Sequence, residues 1–310
     1  MKSDVWPFKE EVAKHRHANR YKPSRSFYIP VRAKFALSTS VAGLWFLFSL
    51  WMAQPWLSDL SAIIGTPAAV LVILFIALIP GFLNAHIICS ILLDSPPPLR
   101  TDVALPPVSL LVAAYNEELS IVGTLRALSR QDYPSPVEII VVDDGSTDQT
   151  LKILMASKLK NLRIIRANHG GKAAALNEGL RYVSHKITVC IDADTFLHPQ
   201  ALRRIVTRLV TDPPNTVAVA GCVMVKNSRE SFLTRMQEWD YFTGIACAKR
   251  QQSLYQGTLV AQGAFSAFRT SALRAIDGWP SVIGEDIVAT WALLKRGWRI
   301  GFEGTAIGFT

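Results

Sequence analysis

The sequence predicts two membrane-spanning helices followed by an α/β domain built on a mainly parallel, doubly wound sheet. Three observations predict it. Two long runs near the N-terminus carry no Lys or Arg. Beyond them, short apolar runs alternate with stretches of helical spacing, the pattern of strands that feed crossover helices. The apolar runs end in Asp, Asn, Glu or Lys, at the carboxyl ends where ligands bind in open α/β sheets.

Composition narrows the class. The chain has 310 residues, of which 50% are hydrophobic and 18% charged. Soluble chains carry about 25% charged residues, so this one is short of charge. Its 4 Cys, 18 Gly and 17 Pro exclude a disulfide scaffold, a collagen-like chain and a disordered one. The net charge of +9 is unevenly spread: residues 1–34 hold 9 Lys/Arg against 3 Asp/Glu, and residues 35–94 hold only Asp59 and Asp94.

Phe35–Ser58 and Leu60–Leu93 are uncharged. About 20 apolar residues rising about 1.5 Å each cross a bilayer core of about 30 Å. Each run therefore holds one span, near residues 35–53 and 66–92, with Pro80-Gly81 interrupting the second. Trp45, Trp51 and Trp56 offer interfacial anchors. Lys22, Arg25, Arg32 and Lys34 precede the first span, whereas the connecting loop Gln54–Ser61 has no basic residue. The positive-inside rule places the basic tail (1–34) in the cytoplasm, and two crossings (35–94) return the rest of the chain there. Cys190, Cys222 and Cys247 are then expected as free thiols. The tail is expected to meet anionic lipid, not nucleic acid.

A Pro-rich linker (95–107), stiffened by Ser95–Pro98 and Pro106-Pro107, leads to the domain at 108–310. Val108–Ala113 reads as the first strand. Leu119–Arg130 is helical, with apolar residues at 119, 122, 125 and 128. Val137–Val142 is a strand, and Ser146 or Thr147 caps a helix through Leu159. Leu162–Arg166 is a strand, Lys172–Val183 a helix and Ile187–Ile191 a strand. Pro199 opens a helix to Val210, and Thr216–Ala220 is a further strand.

The strand ends carry the chemistry. They are Ala114–Glu117, Asp143–Ser146, Asn168–Lys172 and Asp192–Asp194. Asp143-Asp144 alone reads equally as a turn and cap. Asp192 and Asp194 differ, because residues two apart in an extended segment point to the same side. Two such carboxylates repel unless a cation lies between them. Hard oxygen ligands suit Mg²⁺ or Mn²⁺, which bind substrate phosphates. Lys172 follows a glycine pair at a helix start. It reads either as a solvated lysine or as a phosphate ligand aided by the helix dipole. No Gly-x-Gly-x-x-Gly is present, and Arg166 occupies the first glycine position of a Walker loop ending at Lys172, so dinucleotide and P-loop readings are disfavoured. Glu285-Asp286 opens a helical run and reads as dipole-complementing acids or as a general base.

Six stretches in order resemble the family 2 glycosyltransferases: 108–118, 138–150, 170–180, 189–195, 262–273 and 284–300. The similarity is closest to the membrane-embedded, processive branch, which makes poly-β-1,6-N-acetylglucosamine, hyaluronan, chitin oligosaccharides and cellulose. The resemblance implies a GT-A-like, Rossmann-type mixed sheet flanked by helices. It implies an inverting hexosyltransferase that moves a sugar, N-acetylglucosamine first among candidates, from a UDP-sugar to a growing polysaccharide or lipid-linked acceptor at the cytoplasmic face of the cell membrane. Ala114, Tyr115 and Glu117 would border the nucleotide, Asp144 the uracil with Asp143 beside it, and Lys172 the nucleotide. Asp192 would lie at the ribose and diphosphate, Asp194 with Asp192 at the Mg²⁺ or Mn²⁺, and Asp286 with Glu285 at the catalytic centre. Gly263 and Ala264 would lie under the acceptor sugar, and Arg235–Arg250 along the membrane face. An accessory membrane subunit is compatible with the branch. The branch also carries a Gln-x-x-Arg-Trp motif and more membrane helices beyond the position of Thr310, so these residues are expected to be part of a longer protein. The rival readings are a transferase adding one sugar to a polyprenyl phosphate or glycerolipid, and a nucleotide-binding fragment without catalysis.

Overall fold

A computed structural model describes residues 29–94, 98–100, 102–254 and 257–310. The tail at 1–28, with Lys22 and Arg25, and the prolines at 96 and 97 lie outside the described residues.

Among the described residues, two helices are long and apolar enough to cross a membrane: α1 (Val31–Met52) and α3 (Thr66–Leu92). They pack on each other, with Phe35 of α1 edge-on to His86 of α3. The connection read as a loop is instead a short helix, α2 (Gln54–Ile64), with a proline in its first turn. Pro at that position sacrifices no intrahelical bond. Pro80-Gly81 does not break α3; a π-helical turn at Leu74–Leu78 immediately precedes them. Trp45 is not at a helix end but lies over Gly81 at the crossing of α1 and α3, where a Cβ on that glycine would stand 3.2 Å from the indole nitrogen. Trp51 and Trp56 are exposed near the turn between the spans.

The following domain has one eight-stranded sheet among the described residues. Its strands are β1 (Val108–Ala114), β2 (Val137–Asp143), β3 (Leu162–Arg166), β4 (Ile187–Asp192), β5 (Phe196–Leu197), β6 (Thr216–Met224), β7 (Phe265–Arg269) and β8 (Arg299–Phe309). The order is β3-β2-β1-β4-β7-β6-β8-β5. β1 to β4 are mutually parallel, while β7 runs antiparallel to both β4 and β6, and β5 antiparallel to β8. The mixed sheet is thus a parallel one interrupted by β7.

The central strands β1, β2 and β4 are largely buried on both faces, which is why they read as mainly apolar runs. Leu110, Val112, Ile139, Val141 and Val189 face one core layer; Leu111, Ile140, Val142 and Cys190 face the other. Helices α4 (Ile121–Ser129), α5 (Thr150–Met155) and α7 (Ala201–Thr211) cover the first face. Helices α6 (Lys172–Arg181), α10 (Thr270–Ala275) and α11 (Glu285–Lys295) cover the second. The domain is doubly wound.

Several helix details depart from the sequence reading. Leu119 is 96% exposed and Val122 is exposed too, whereas α4 buries Leu125 and Leu128 as the spacing predicts, together with Ile121 and Thr124. The helix expected from Ser146 or Thr147 starts at Thr150, whose N–H is held by the Asp148 carboxylate at 2.9 Å. Ser146 and Thr147 are drawn into bonds with Asn116. Pro199 precedes the N-cap Gln200 and is not itself helical. The segment expected along the membrane face divides into α8 (Phe232–Asp240), a π-helical stretch (Tyr241–Cys247) and α9 (Ala248–Leu254). Its Phe232, Leu233, Met236, Trp239 and Phe242 are exposed, whereas Tyr241 packs onto the first core layer.

Gly179 seats α6 on the sheet, because a Cβ there would collide with Leu111 and Val142. Gly179→Val is expected to cost about 1–3 kcal/mol of stability, read as a lower denaturation midpoint. An unchanged midpoint would show that α6 can lift from the sheet.

Candidate active site

The sequence-predicted residues come together at the carboxyl ends of β1, β2 and β4, with loops from β3, β7 and α11 closing around them. After β1 the chain turns at Asn116, which adopts φ 54, a left-handed conformation that Asn tolerates. Its side-chain oxygen accepts the Thr147 N–H at 2.8 Å. The Glu117 N–H donates to Thr150 Oγ1 at 2.7 Å, and the Glu117 carboxylate accepts from Ser120. The first two loops are therefore laced together.

Asp144 proves to be a structural brace. Its carboxylate accepts the N–H groups of Gly170 and Gly171, each at 2.9 Å, and faces His169 Nδ1 at 3.0 Å. These bonds fix the turn that starts α6. Asp143 is 2% exposed, and its Oδ1 has no hydrogen-bond partner. Tyr115 stacks on His169 with centroids 4.1 Å apart. His169 was missed in the sequence, where nothing distinguishes it from a loop residue.

Lys172, at the first turn of α6, forms an ion pair with Asp192 and stands 3.8 Å from Glu285 Oε1. Burial pulls the Lys172 pKa down, but Asp192, Glu285 and Asp286 outweigh it and hold it above the usual lysine value. Burial pushes Asp192 above the usual carboxylate range, against the opposing pull of Lys172, with Asp194 and Asp286 adding to the rise. The Asp192 N–H donates to the Ala264 carbonyl at 3.2 Å, which docks β4 onto the loop before β7.

Asp192 and Asp194 do not share an extended strand. The Thr195 N–H returns to the Asp192 carbonyl at 3.0 Å, so Asp194 sits in a turn. Its Oδ2 accepts from Thr310 Oγ1 at 3.1 Å. The charges of the two aspartates still act on each other. No cluster of three or more His, Cys, Asp or Glu is arranged to hold a metal among the described residues. A carboxylate pair nonetheless fits Mg²⁺ or Mn²⁺, which take hard oxygens and complete their shells with water and substrate phosphate.

Glu285 and Asp286 open α11. Asp286 Oδ2 accepts the Gly263 N–H at 2.9 Å, and Oδ1 accepts the Ile287 N–H at 2.8 Å. Thr290 Oγ1 donates to the Asp286 carbonyl and accepts the Ala261 N–H. The backbone of the loop holding Gly263 and Ala264 is therefore bonded directly to α11. Gly263 approaches Lys172 so closely that a Cβ would stand 2.8 Å from Nζ. One contiguous group thus contains Lys172, Asp192, Glu285, Asp286, Gly263 and Ala264, with Asp194 beside it and Asp144 one loop away.

The model of the family described as glycosyl transferase family 2 matches residues 109–277, more than half of the chain. The chain belongs to glycosyltransferase family 2. It is similar to the poly-beta-1,6-N-acetyl-D-glucosamine synthase of Staphylococcus aureus (strain COL), with 33% identity over 218 residues. That match covers 69% of this chain and 52% of the relative. The synthase of the same name from Staphylococcus epidermidis is 33% identical over 207 residues, covering 64% of this chain and 48% of the relative. The chain spans about half the length of these curated relatives. Among solved structures, the mannosyltransferase PcManGT of Pyrobaculum calidifontis, in complex with GDP-Man and Mn²⁺, shares the fold with a TM-score of 0.59. It is 23% identical, and the match covers 91% of this chain and 68% of that one. The TarS 1-349 structure of S. aureus in complex with UDP has a TM-score of 0.50 at 23% identity, covering 66% of this chain and 60% of that one.

Proposed function

We propose that the chain is the catalytic part of an inverting β-glycosyltransferase that moves N-acetylglucosamine from UDP-N-acetylglucosamine to a growing polysaccharide. The observation that carries the reading is the placement of Asp286, Lys172 and Asp192 around one strand-end site. The names of the relatives at 33% identity point to the sugar. Two apolar helices and the charge asymmetry around them support a membrane-bound enzyme with this domain on the cytoplasmic side.

Tyr115, Asp143 and Asp144 would line the uracil side, and Ala114 and Glu117 the neighbouring wall. Asp143 Oδ1 is buried without a hydrogen-bond partner, and a base N–H that reached it would satisfy it. Asp194 and Asp192 would hold Mg²⁺ or Mn²⁺, whose chemistry is to offset the negative charge of the diphosphate. The Lys172 ammonium adds to that electrostatic stabilisation. Asp286 accepts the proton of the acceptor hydroxyl. The hydroxyl oxygen forms its bond to the anomeric carbon as the bond to the diphosphate breaks, and UDP departs with that electron pair. Attack from the face opposite UDP converts an α-linked donor into a β-linked product. Glu285 keeps Lys172 oriented, and Gly263 and Ala264 form the floor under the acceptor.

Gly263→Ala would drive a methyl group towards Lys172 Nζ. Misplacement at a reacting centre is costly, so transfer is expected to fall by about tenfold or more. Wild-type transfer by this variant would remove the close packing of Gly263 and Lys172 from the mechanism.

Release of UDP from membranes carrying the protein, with a panel of UDP-sugars, tests the reading. UDP-N-acetylglucosamine is expected to give the fastest release and a ladder of products. A single added sugar would assign the enzyme to lipid or polyprenyl phosphate modification. No release with any donor would overturn the reading.

A further inference from the structure

Helix α9 carries two adjacent cations that point in different directions. Arg250 reaches out to Asp94, just past the end of α3, at 2.7 Å. Lys249 reaches inward and is 6% exposed. Its ammonium donates to the Val260 carbonyl at 3.0 Å and to the side-chain oxygen of Gln262. The side-chain amide of Gln262 in turn donates to the Gly221 carbonyl of β6 at 2.8 Å, and the main-chain carbonyl of Gln262 accepts from Ser266 Oγ at 2.7 Å.

These bonds hold the segment that leads into the acceptor floor. Ala261 and Gly263 are bonded to α11, through Thr290 and Asp286. Val260 and Gln262 are bonded to Lys249. Alternate residues of one short segment are therefore bonded to α11 and to α9.

A buried lysine is an expensive way to pack a helix. Burial pulls its pKa down to about 7, while Asp286 and then Cys222 act in the opposite sense. An apolar side chain of similar length would avoid that cost. A neutral amine still has two N–H groups for its two acceptors, so the grip does not depend on the charge state.

We propose that Lys249 is a positioning residue for the acceptor site: it holds Val260–Gly263 against Asp286 and, through its neighbour Arg250, ties that segment to the end of the second membrane span. The proposal rests on the transferase reading above. It makes acceptor engagement dependent on how the domain sits on its membrane anchor, while the nucleotide side at β1 and β2 is held independently by the bonds of Asn116 and Asp144.

The test compares the wild type with Lys249→Met, Lys249→Arg and Gln262→Leu in membranes. UDP-N-acetylglucosamine is the donor and an N-acetylglucosamine oligosaccharide the acceptor. Lys249→Met and Gln262→Leu are expected to raise the acceptor KM by about tenfold, the scale of one lost hydrogen bond, with the donor KM unchanged. Lys249→Arg is expected to recover most of the loss. Hydrogen exchange is expected to quicken in residues 260–264 of the Met variant, and not in β4. Equal changes in both KM values, or no change in either, would overturn the proposal. Absence of transfer in the wild type would defeat the transferase reading alone. Exchange at 260–264 would then decide the positioning role, with unchanged rates overturning it.

Discussion

Asp286→Asn is expected to lower the transfer rate by about 10²–10⁴, the range of a positioned general base, and to leave UDP binding intact. The variant keeps the shape of the side chain. Its remaining oxygen can still accept the Gly263 N–H that Asp286 Oδ2 accepts at 2.9 Å, so the loop stays in place. What it loses is an oxygen basic enough to take the acceptor proton. The effect should therefore appear in kcat, with the donor KM nearly constant. Turnover at the wild-type rate would remove Asp286 from the chemistry and leave Glu285, its neighbour in the first turn of α11, as the carboxylate to examine.

The second large effect is expected at Asp194. In Asp194→Ala, the increase in UDP affinity brought by Mn²⁺ or Mg²⁺ should shrink by about tenfold or more, as when a metal site loses a supporting group. UDP affinity measured in a chelator should match the wild type. The side chain is a suitable target because it accepts a hydrogen bond from Thr310 Oγ1, outside the sheet core, so truncation leaves β4 standing. Asp192 is the less informative partner: it also pairs with Lys172, and its loss would disturb two functions together. An unchanged cation dependence in the Asp194 variant would exclude it as a ligand.

The reach of the sequence differs between parts of the molecule for physical reasons. β1, β2 and β4 were legible because strands buried on both faces must be apolar throughout. β7 and β8 were not. β7 is only five residues long and two of them are Ser266 and Arg269, and β8 contains Glu303 with Gly301, Gly304 and Gly308, a composition that periodicity alone does not assign to a buried strand. Leu119 was misassigned because an apolar residue at helical spacing is not proof of a buried face; the helix starts two residues later.

The site shows the same division. Carboxylates at strand ends could be read from position, and the family resemblance supplied candidate roles. Which acids are free could not be read. Asp144 is taken up by the Gly170 and Gly171 amides, whereas Asp143 keeps a bare oxygen. That distinction depends on the path of a loop more than twenty residues later. Lys249 was hidden for a similar reason. Within Arg235–Arg250 it looks like part of a charged face, and only the return of the chain at Val260–Gln262 gives it a buried partner.

An experimental structure of the protein with UDP and Mn²⁺ tests the central claim most directly. The uracil is expected beside Tyr115 and Asp143, with the ion between Asp194 and the diphosphate. UDP bound away from the ends of β1, β2 and β4, or an ion that does not contact Asp194, would contradict it.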